Sequence, residues 1–426
     1  MDFIEELKWR GLFHQEIPGT QAYLNDNKGV VGYIGFDPTA ASLGIGNLVQ
    51  IIILKHFQLA GHQPITLLGG ATGMIGDPSG KSEERNLQTK DTLDYNKKQF
   101  AAQFNKFFND ADLPNRVKVL DNLDFYKDMN VLDFLRDVGK HLTVNYMMAK
   151  DSVKSRLETG ISYTEFSYQL LQGYDFYRLK TEHNCLVQMG GSDQWGNLTA
   201  GVELTRRLNG GEVYAVTTPL VTKTDGTKFG KTEKGNIFLD ASLTSPYQFY
   251  QFWINIPDAD AEIFIKIFTF LPKAETLALI AEHKQDPGRR LLQNKLAEEV
   301  TYWIHGREEY NTAVEVSKIF FGKGSVELLA KLSDADVDTL FDGVPQYAIS
   351  KSEVENGIDL SDFLVDKTGV FQSRGDVRRA IKGNALSINK TKIENESLQI
   401  DTGHLIKDRI IWVQNGKKNN YLVIAE

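Results

Sequence analysis

The stretch VVGYIGFDPTAASLGIGNLVQIIILKHFQLAG, residues 30–61, decides the fold. Residues 30–36 are short, apolar and rich in Val, Ile, Tyr and Phe, which predicts a strand. Ile45–Leu59 reads as a helix ended by Gly61. Between them lie Asp37-Pro38-Thr39 and a turn over residues 40–46. A strand that feeds a loop and then a helix is the opening of a βαβ unit.

The same alternation continues outward. Residues 64–68 predict a second strand running into Gly69-Gly70-Ala71-Thr72-Gly73, and residues 117–120 and 186–189 predict two more. Long helical patterns at 94–108 and 163–172 separate them. The first half is therefore an α/β domain, set at residues 1–222. A polar segment follows at 223–240. From about Leu243 glycine becomes scarce, and helical periodicity runs over 247–321, giving a helical domain at 241–330. Residues 331–362 are acidic, polar and weakly periodic and are expected to be a linker. A compact tail at 363–426 has strand-like segments at 385–388, 410–413 and 421–424.

A length of 426 residues fits two or three domains, and 41% hydrophobic with 24% charged residues is the balance of a globular protein. One cysteine, Cys185, excludes an intramolecular disulfide framework and fits a reducing compartment. The start, Met-Asp-Phe-Ile-Glu-Glu, lacks the apolar run of a signal peptide. No stretch reaches the roughly 20 apolar residues that span a bilayer. The expectation is a cytoplasmic protein with no membrane partner. Net charge is −8, yet six basic residues and one acid, Asp376, lie between Arg374 and Lys392. That asymmetry fits an acidic body with a basic RNA-facing end, and equally a solvated surface face.

Three segments suit a nucleotide. The strand-loop-helix at Gly35, Asp37 and Thr39 brings Gly44 and Gly46 to a helix start, where free N–H groups and the helix dipole favour phosphate. Such glycines also serve packing or capping. Lys228-Phe229-Gly230-Lys231-Thr232 reads either as a solvated basic loop or as a lid whose ammonium groups reach phosphate charge. Gly190-Gly191-Ser192-Asp193-Gln194 follows a strand, where α/β sheets bind ligands, and Asp193 can accept hydrogen bonds from a ribose or simply cap the turn.

A second group suits an amino acid. Tyr168, Gln172 and Asp175 are spaced i, i+4 and i+7, on one face of a helix. That face is either a solvent stripe or a half-buried polar surface awaiting a ligand. Tyr33 and Asp175 offer the donor and acceptor that a phenol needs. Asp77, Tyr168 and Gln172 offer acceptors for an ammonium group.

Taken in order, the motifs are Tyr-x-Gly-x-Asp-Pro-Thr at 33–39, Gly-Asp-Pro-Ser-Gly-Lys at 76–81, Tyr-x-x-x-Gln-x-x-Asp at 168–175, Gly-Gly-Ser-Asp-Gln-Trp-Gly-Asn at 190–197 and Lys-Phe-Gly-Lys-Thr at 228–232. This set resembles the bacterial tyrosyl-tRNA synthetases, class I enzymes with a Rossmann-like doubly wound parallel sheet. The resemblance implies that Tyr33 and Asp175 bind the substrate phenol, that Asp77, Tyr168 and Gln172 hold its ammonium, and that Gln194 steadies its carboxylate. It implies ATP contacts from Gly35, Asp37, Gly44, Gly46, Asn47, Gly191 and Asp193. Thr39, Lys228, Lys231 and Thr232, with Lys81 and Arg85, would stabilise the leaving pyrophosphate. ATP is then a substrate, magnesium accompanies it, and tyrosine and its tRNA are the partners of a homodimer. The basic tail resembles the S4 RNA-binding domain, a small α+β fold, and that likeness implies RNA contacts from Arg374, Arg378, Arg379, Lys382 and Lys390.

The family's helix-start signature is His-Ile-Gly-His, whereas this chain has Gly44-Ile45-Gly46-Asn47. Asn47 keeps a donor and Gly44 does not. Two other readings therefore stand beside the first. One is a tryptophanyl-tRNA synthetase, which the Tyr33/Asp175 pair and the tail oppose. The other is a relative that binds RNA and has lost catalysis, which Gly44 alone supports.

Overall fold

A computed structural model describes residues 2–79, 88–108, 112–154, 156, 160–209, 211–227, 229–232, 235–319, 326–342, 344–416 and 419–426. The chain forms two compact units, one of residues 1–244 and 251–305, the other of residues 245–250 and 306–426.

The first unit is built on a six-stranded sheet. Its order is Gln15–Glu16, Tyr214–Thr218, Cys185–Gly191, Val31–Phe36, Gln63–Leu68 and Lys118–Asp121. Gln15–Glu16 pairs antiparallel with Tyr214–Thr218, and every other neighbour is parallel. Winding runs outward from Val31–Phe36 in one direction and from Cys185–Gly191 in the other. The crevice beyond the carboxyl ends of those two strands is therefore the topological switch point, where open α/β sheets take ligands.

Local chemistry explains the elements around that crevice. Ile45–Leu59 buries Leu48, Ile51, Ile52 and Leu54 completely, and even Lys55 is buried, its Nζ donating to Gln58 Oε1 at 2.9 Å and to the Phe107 carbonyl at 3.3 Å. A helix so apolar all round must lie inside the unit. Tyr163–His183 starts at Ser162, whose Oγ accepts from Glu165 N, and stops at Asn184 in the left-handed region. It packs on Trp195–Asn209 at Gly173 and Gly201, where a Cβ on Gly173 would stand 3.5 Å from the Gly201 Cα. Two glycines here let the backbones approach closely. Arg10, 2% exposed, ends the first helix and donates to the carbonyls of Lys266, Thr269 and Leu271, which tie the N-terminal segment to the end of helix Asp258–Ile267 and the residues after it. Cys185 is fully buried in the sheet, its thiol pushed up by burial.

The expected helical run is present as Pro246–Ile254, Asp258–Ile267, Lys273–Gln285, Leu291–His305 and Arg307–Ser317. Its members fall on both sides of the division between the two units.

The second unit carries a five-stranded sheet in the order Thr391–Lys392, Leu386–Ile388, Ile410–Asn415, Asn419–Ala425 and Gln346–Ile349. One expectation is corrected here. Residues 331–362 were expected to be a linker, but they contain helix Asp334–Leu340 and strand Gln346–Ile349, which pairs parallel to Asn419–Ala425. Val354, Leu360 and Ile349 belong to the same core as Val377, Ile411 and Val423. A strand of four residues and helices of seven and five are too short to imprint a readable period, which is why the segment looked structureless.

Candidate active site

At the switch point lies a cavity of about 320 Å³. Strand Val31–Phe36 brings Tyr33 and Gly35 to it, and the loop after that strand adds Asp37 and Thr39. Helix Tyr163–His183 contributes Tyr168, Gln172 and Asp175, as the i, i+4, i+7 spacing requires. Strand Cys185–Gly191 and the turn after it deliver Gly191, Asp193 and Gln194. Asp77 completes the wall.

The floor is a buried pair of polar groups. The Tyr33 hydroxyl is buried and has no hydrogen-bond partner among the described residues. Burial first, then the Asp175 charge, raises its pKa well above 10.0, so it stays a donor. Asp175 accepts from Asn122 Nδ2 at 2.9 Å and from the Tyr126 hydroxyl at 2.7 Å. Burial pushes Asp175 up to about 7, against the lowering effect of those two donors. An unpaired donor and a desolvated acceptor side by side suit a ligand hydroxyl that both accepts and donates.

Asp37, also in the lining, holds Tyr168. The Tyr168 hydroxyl donates to Asp37 Oδ2 at 2.9 Å, and Thr72 Oγ1 to Oδ1 at 2.7 Å. Asp37, expected to contact ATP, thus also positions Tyr168 and Thr72. Asp77 accepts from Gln194 Nε2 at 2.6 Å, Asn197 Nδ2 at 3.3 Å and the Ser79 amide at 3.0 Å. Gln194, expected to meet a substrate carboxylate, thus also orients Asp77. Gln172 Oε1 is a buried acceptor without a partner among the described residues, the right chemistry for an ammonium.

An adjoining cavity of about 260 Å³ shares Asp37, Thr39, Gly46 and Asn47 with the first and adds Gly44, Phe229 and Gly230. Gly44 is the N-cap of Ile45–Leu59, and its amide donates to Asn47 Oδ1 at 3.0 Å. The backbones of Lys231 and Thr232 pair with Asn236 and Gly235. Lys81, Arg85 and Lys228 lie outside the described residues, as do the side chains of Lys231 and Thr232.

Sequence reasoning missed Asn122, Tyr126, Thr72 and Asn197, which hold the side chains that line the cavity. Asn122 had a signal: it is the first residue past the carboxyl end of strand Lys118–Asp121. Tyr126 had none, because only the fold brings it to Asp175.

In the second unit, helix Arg374–Lys382 begins at Ser373, whose Oγ accepts from Asp376 N. Its basic residues form exposed ion pairs: Arg374 with Asp362 and Asp366, Arg378 with Glu396, and Arg379 with Asp376. Lys382 is exposed, and Lys390 lies over the Trp412 ring with its pKa lowered by burial.

Comparison with known proteins gives the family. A family described as "tRNA synthetases class I (W and Y)" matches residues 25–322, and one described as "Tyrosine--tRNA ligase SYY-like C-terminal domain" matches residues 336–423. A tyrosine–tRNA ligase of Bacteroides fragilis is 53% identical over 431 residues, covering 100% of both chains. One of Porphyromonas gingivalis is 53% identical over 432 residues, again covering 100% of both. The crystal structure of a C-terminally truncated mitochondrial tyrosyl-tRNA synthetase from Aspergillus nidulans superposes with a TM-score of 0.66 at 31% identity, over 73% of this chain and 92% of that one. With identity above half along its entire length and both family regions in order, the chain belongs to the tyrosine–tRNA ligases, class I aminoacyl-tRNA synthetases.

Proposed function

We propose that this chain activates L-tyrosine with ATP and transfers it to the 3′ end of its tRNA. The observation that carries the reading is the buried Tyr33 hydroxyl, without a partner among the described residues, beside Asp175 at the cavity floor. A site built to bond a hydroxyl leaves polar groups stranded when phenylalanine enters. Tyrosine-specific synthetases are themselves the standard example of this rule, with roughly 10⁵-fold rejection.

In the first step the tyrosine carboxylate attacks the α-phosphorus, a new P–O bond forms, and pyrophosphate leaves with the electrons of the broken one. In the second, a hydroxyl of the tRNA terminal ribose attacks the acyl carbon and AMP leaves. No side-chain nucleophile takes part, so positioning and electrostatic stabilisation carry the rate. Tyr33 and Asp175 would fix the phenol, Gln172 with Asp77 and Tyr168 the ammonium, and Gln194 the carboxylate. Asp193 would hold the ribose. The phosphates would lie along Thr39, Gly46 and Asn47 toward the loop of Lys228, Lys231 and Thr232, with Lys81 and Arg85 opposite. Magnesium would enter on the ATP phosphates.

Amino-acid-dependent pyrophosphate exchange tests the reading. Exchange with tyrosine and none with tryptophan is expected, and the reverse would replace tyrosine as the substrate. No exchange with either would leave the RNA-binding relative.

The tail is proposed to bind tRNA through Arg374, Arg378, Arg379, Lys382 and Lys390. Arg378→Ala with Arg379→Ala should weaken tRNA binding about tenfold or more at low salt and flatten the slope of log K against log salt. Unchanged affinity and slope would remove these residues from the interface. A homodimer is proposed too. Helix Val131–Asp137 buries none of its residues, and Val131, Leu132, Val144 and Tyr163 are all more than half exposed, a large apolar display for a monomer. Leu132→Asp should halve the sedimenting mass at micromolar concentration, and an unaltered mass argues for another face. The compartment proposed is the cytoplasm; among the described residues no helix is long and apolar enough to cross a membrane.

A further inference from the structure

The loop of residues 222–236 is held at two points by the helix Asp258–Ile267 and the residues around it. At its base the Thr224 amide donates to Asp260 Oδ1 at 2.7 Å, and Asp260 is 2% exposed. Further along, Phe229 is 7% exposed, although its neighbours in sequence are polar or glycine. Its ring stacks on Phe268 with centroids 4.7 Å apart and meets Phe264 edge-on at 5.0 Å. Trp253 and Phe252, from helix Pro246–Ile254, close the cage at 5.8 and 6.0 Å. An aromatic ring placed among four others is a strong anchor.

The next residue faces the other way. Gly230 has φ +88°, and a Cβ there would stand 2.9 Å from Ile45 Cγ2 and 3.2 Å from the Gly46 amide nitrogen. Its backbone therefore presses on the first turn of Ile45–Leu59, at the cavity that Thr39, Gly46 and Asn47 also line. Only glycine satisfies both the left-handed backbone and the close approach.

We propose that Phe229 is a positioning residue for the activation step. Its insertion into the Phe252/Trp253/Phe264/Phe268 cage clamps the loop so that Gly230 bears on the phosphate-facing helix start. Gly230, next to the anchor, is thereby held against Ile45 and the Gly46 backbone. Phe229 itself offers no polar atom to substrate. Its effect passes through the loop, and it belongs to the transition state for pyrophosphate departure rather than to tyrosine recognition. The inference rests on the function proposed above.

Tyrosine- and ATP-dependent pyrophosphate exchange by the full chain tests it. Phe229→Ala should lower kcat by about 10²-fold while the KM for tyrosine moves less than about threefold, because misplacement of groups used only in the transition state costs kcat. Phe229→Leu, which refills most of the cage, should recover kcat to within about fivefold. Gly230→Ala, which leaves the cage intact and lifts the loop from the opposite side, should lower kcat by about tenfold or more with the same KM signature. If the unaltered chain shows no tyrosine-dependent exchange, the function itself is wrong. If it does, and Gly230→Ala or a folded Phe229→Ala retains full kcat, or tyrosine KM rises in step with the loss of kcat, the clamp is overturned. Should Phe229→Ala not fold, Phe229→Leu and Gly230→Ala decide alone.

Discussion

Asp175→Asn is expected to cut tyrosine activation by about 10²–10³-fold in kcat/KM and to raise the melting temperature at pH 8. Both effects have one cause. Asp175 is fully buried, and burial raises its pKa from 3.8 to about 7. An acid with a raised folded pKa gives the fold its full contribution below pH 3.8 and loses it as pH climbs through 7. At pH 8 the ionised group therefore costs the fold on the order of a few kcal/mol. Asparagine carries no charge, and its partners can adapt. Its oxygen can keep the Asn122 bond, and its amide can donate to the Tyr126 hydroxyl, which already has the Leu171 carbonyl at 2.8 Å as an alternative acceptor. The substrate phenol, by contrast, loses its charged acceptor. Thermal melts at pH 8 and pH 5 and exchange kinetics across that range check the argument. The stabilisation should shrink toward pH 5, and the unaltered chain's KM for tyrosine should rise as pH falls through 7 while that of Asp175→Asn stays flat. A lower melting point at pH 8, or an unchanged KM, would contradict it.

The opposite sign is expected at Gly44. Gly44→His should raise the activation rate by at least about tenfold, toward the 10²–10³ that one preorganised donor is worth. The backbone accepts it. Gly44 has φ −95° and ψ 167°, extended values open to any residue, and a Cβ there would lie 3.5 Å from the Ile237 carbonyl and 3.9 Å from Asn47 Oδ1, ordinary contacts. An imidazole would enter the cavity shared by Thr39, Gly46 and Asn47. Asn47, whose oxygen is engaged by the Gly44 amide, has its NH₂ to offer a phosphate. Single-turnover measurement of adenylate formation decides. A rate equal to that of the unaltered chain would show that the missing imidazole is of no consequence here.

Much of the site could be read from the chain because short motifs sit where sheet geometry puts ligands. Tyr33 and Asp37 bracket the end of one strand, Gly191 and Asp193 the end of the next, and Tyr168, Gln172 and Asp175 keep helical spacing. The supports were less legible. Tyr126 reaches Asp175 across 49 residues and Asn197 reaches Asp77 across 120, and no local pattern encodes such pairs. Asp37 illustrates a different limit. Its place in the motif was plain, but its partners, Tyr168 and Thr72, are set by tertiary packing. The segment at 331–362 failed for a third reason: its order comes from a sheet completed by residues 419–425, so its own composition says little.

The burial of Cys185 has a practical side. It is the single cysteine of the chain, fully enclosed, with a thiol too deeply desolvated to ionise near neutral pH. The folded protein is thus silent toward maleimides, and one cysteine introduced at exposed Asp225 would take a fluorophore at that place alone. Asp225 belongs to the loop that Phe229 anchors, so a single-dye reporter there would follow the loop in real time without any prior removal of native thiols.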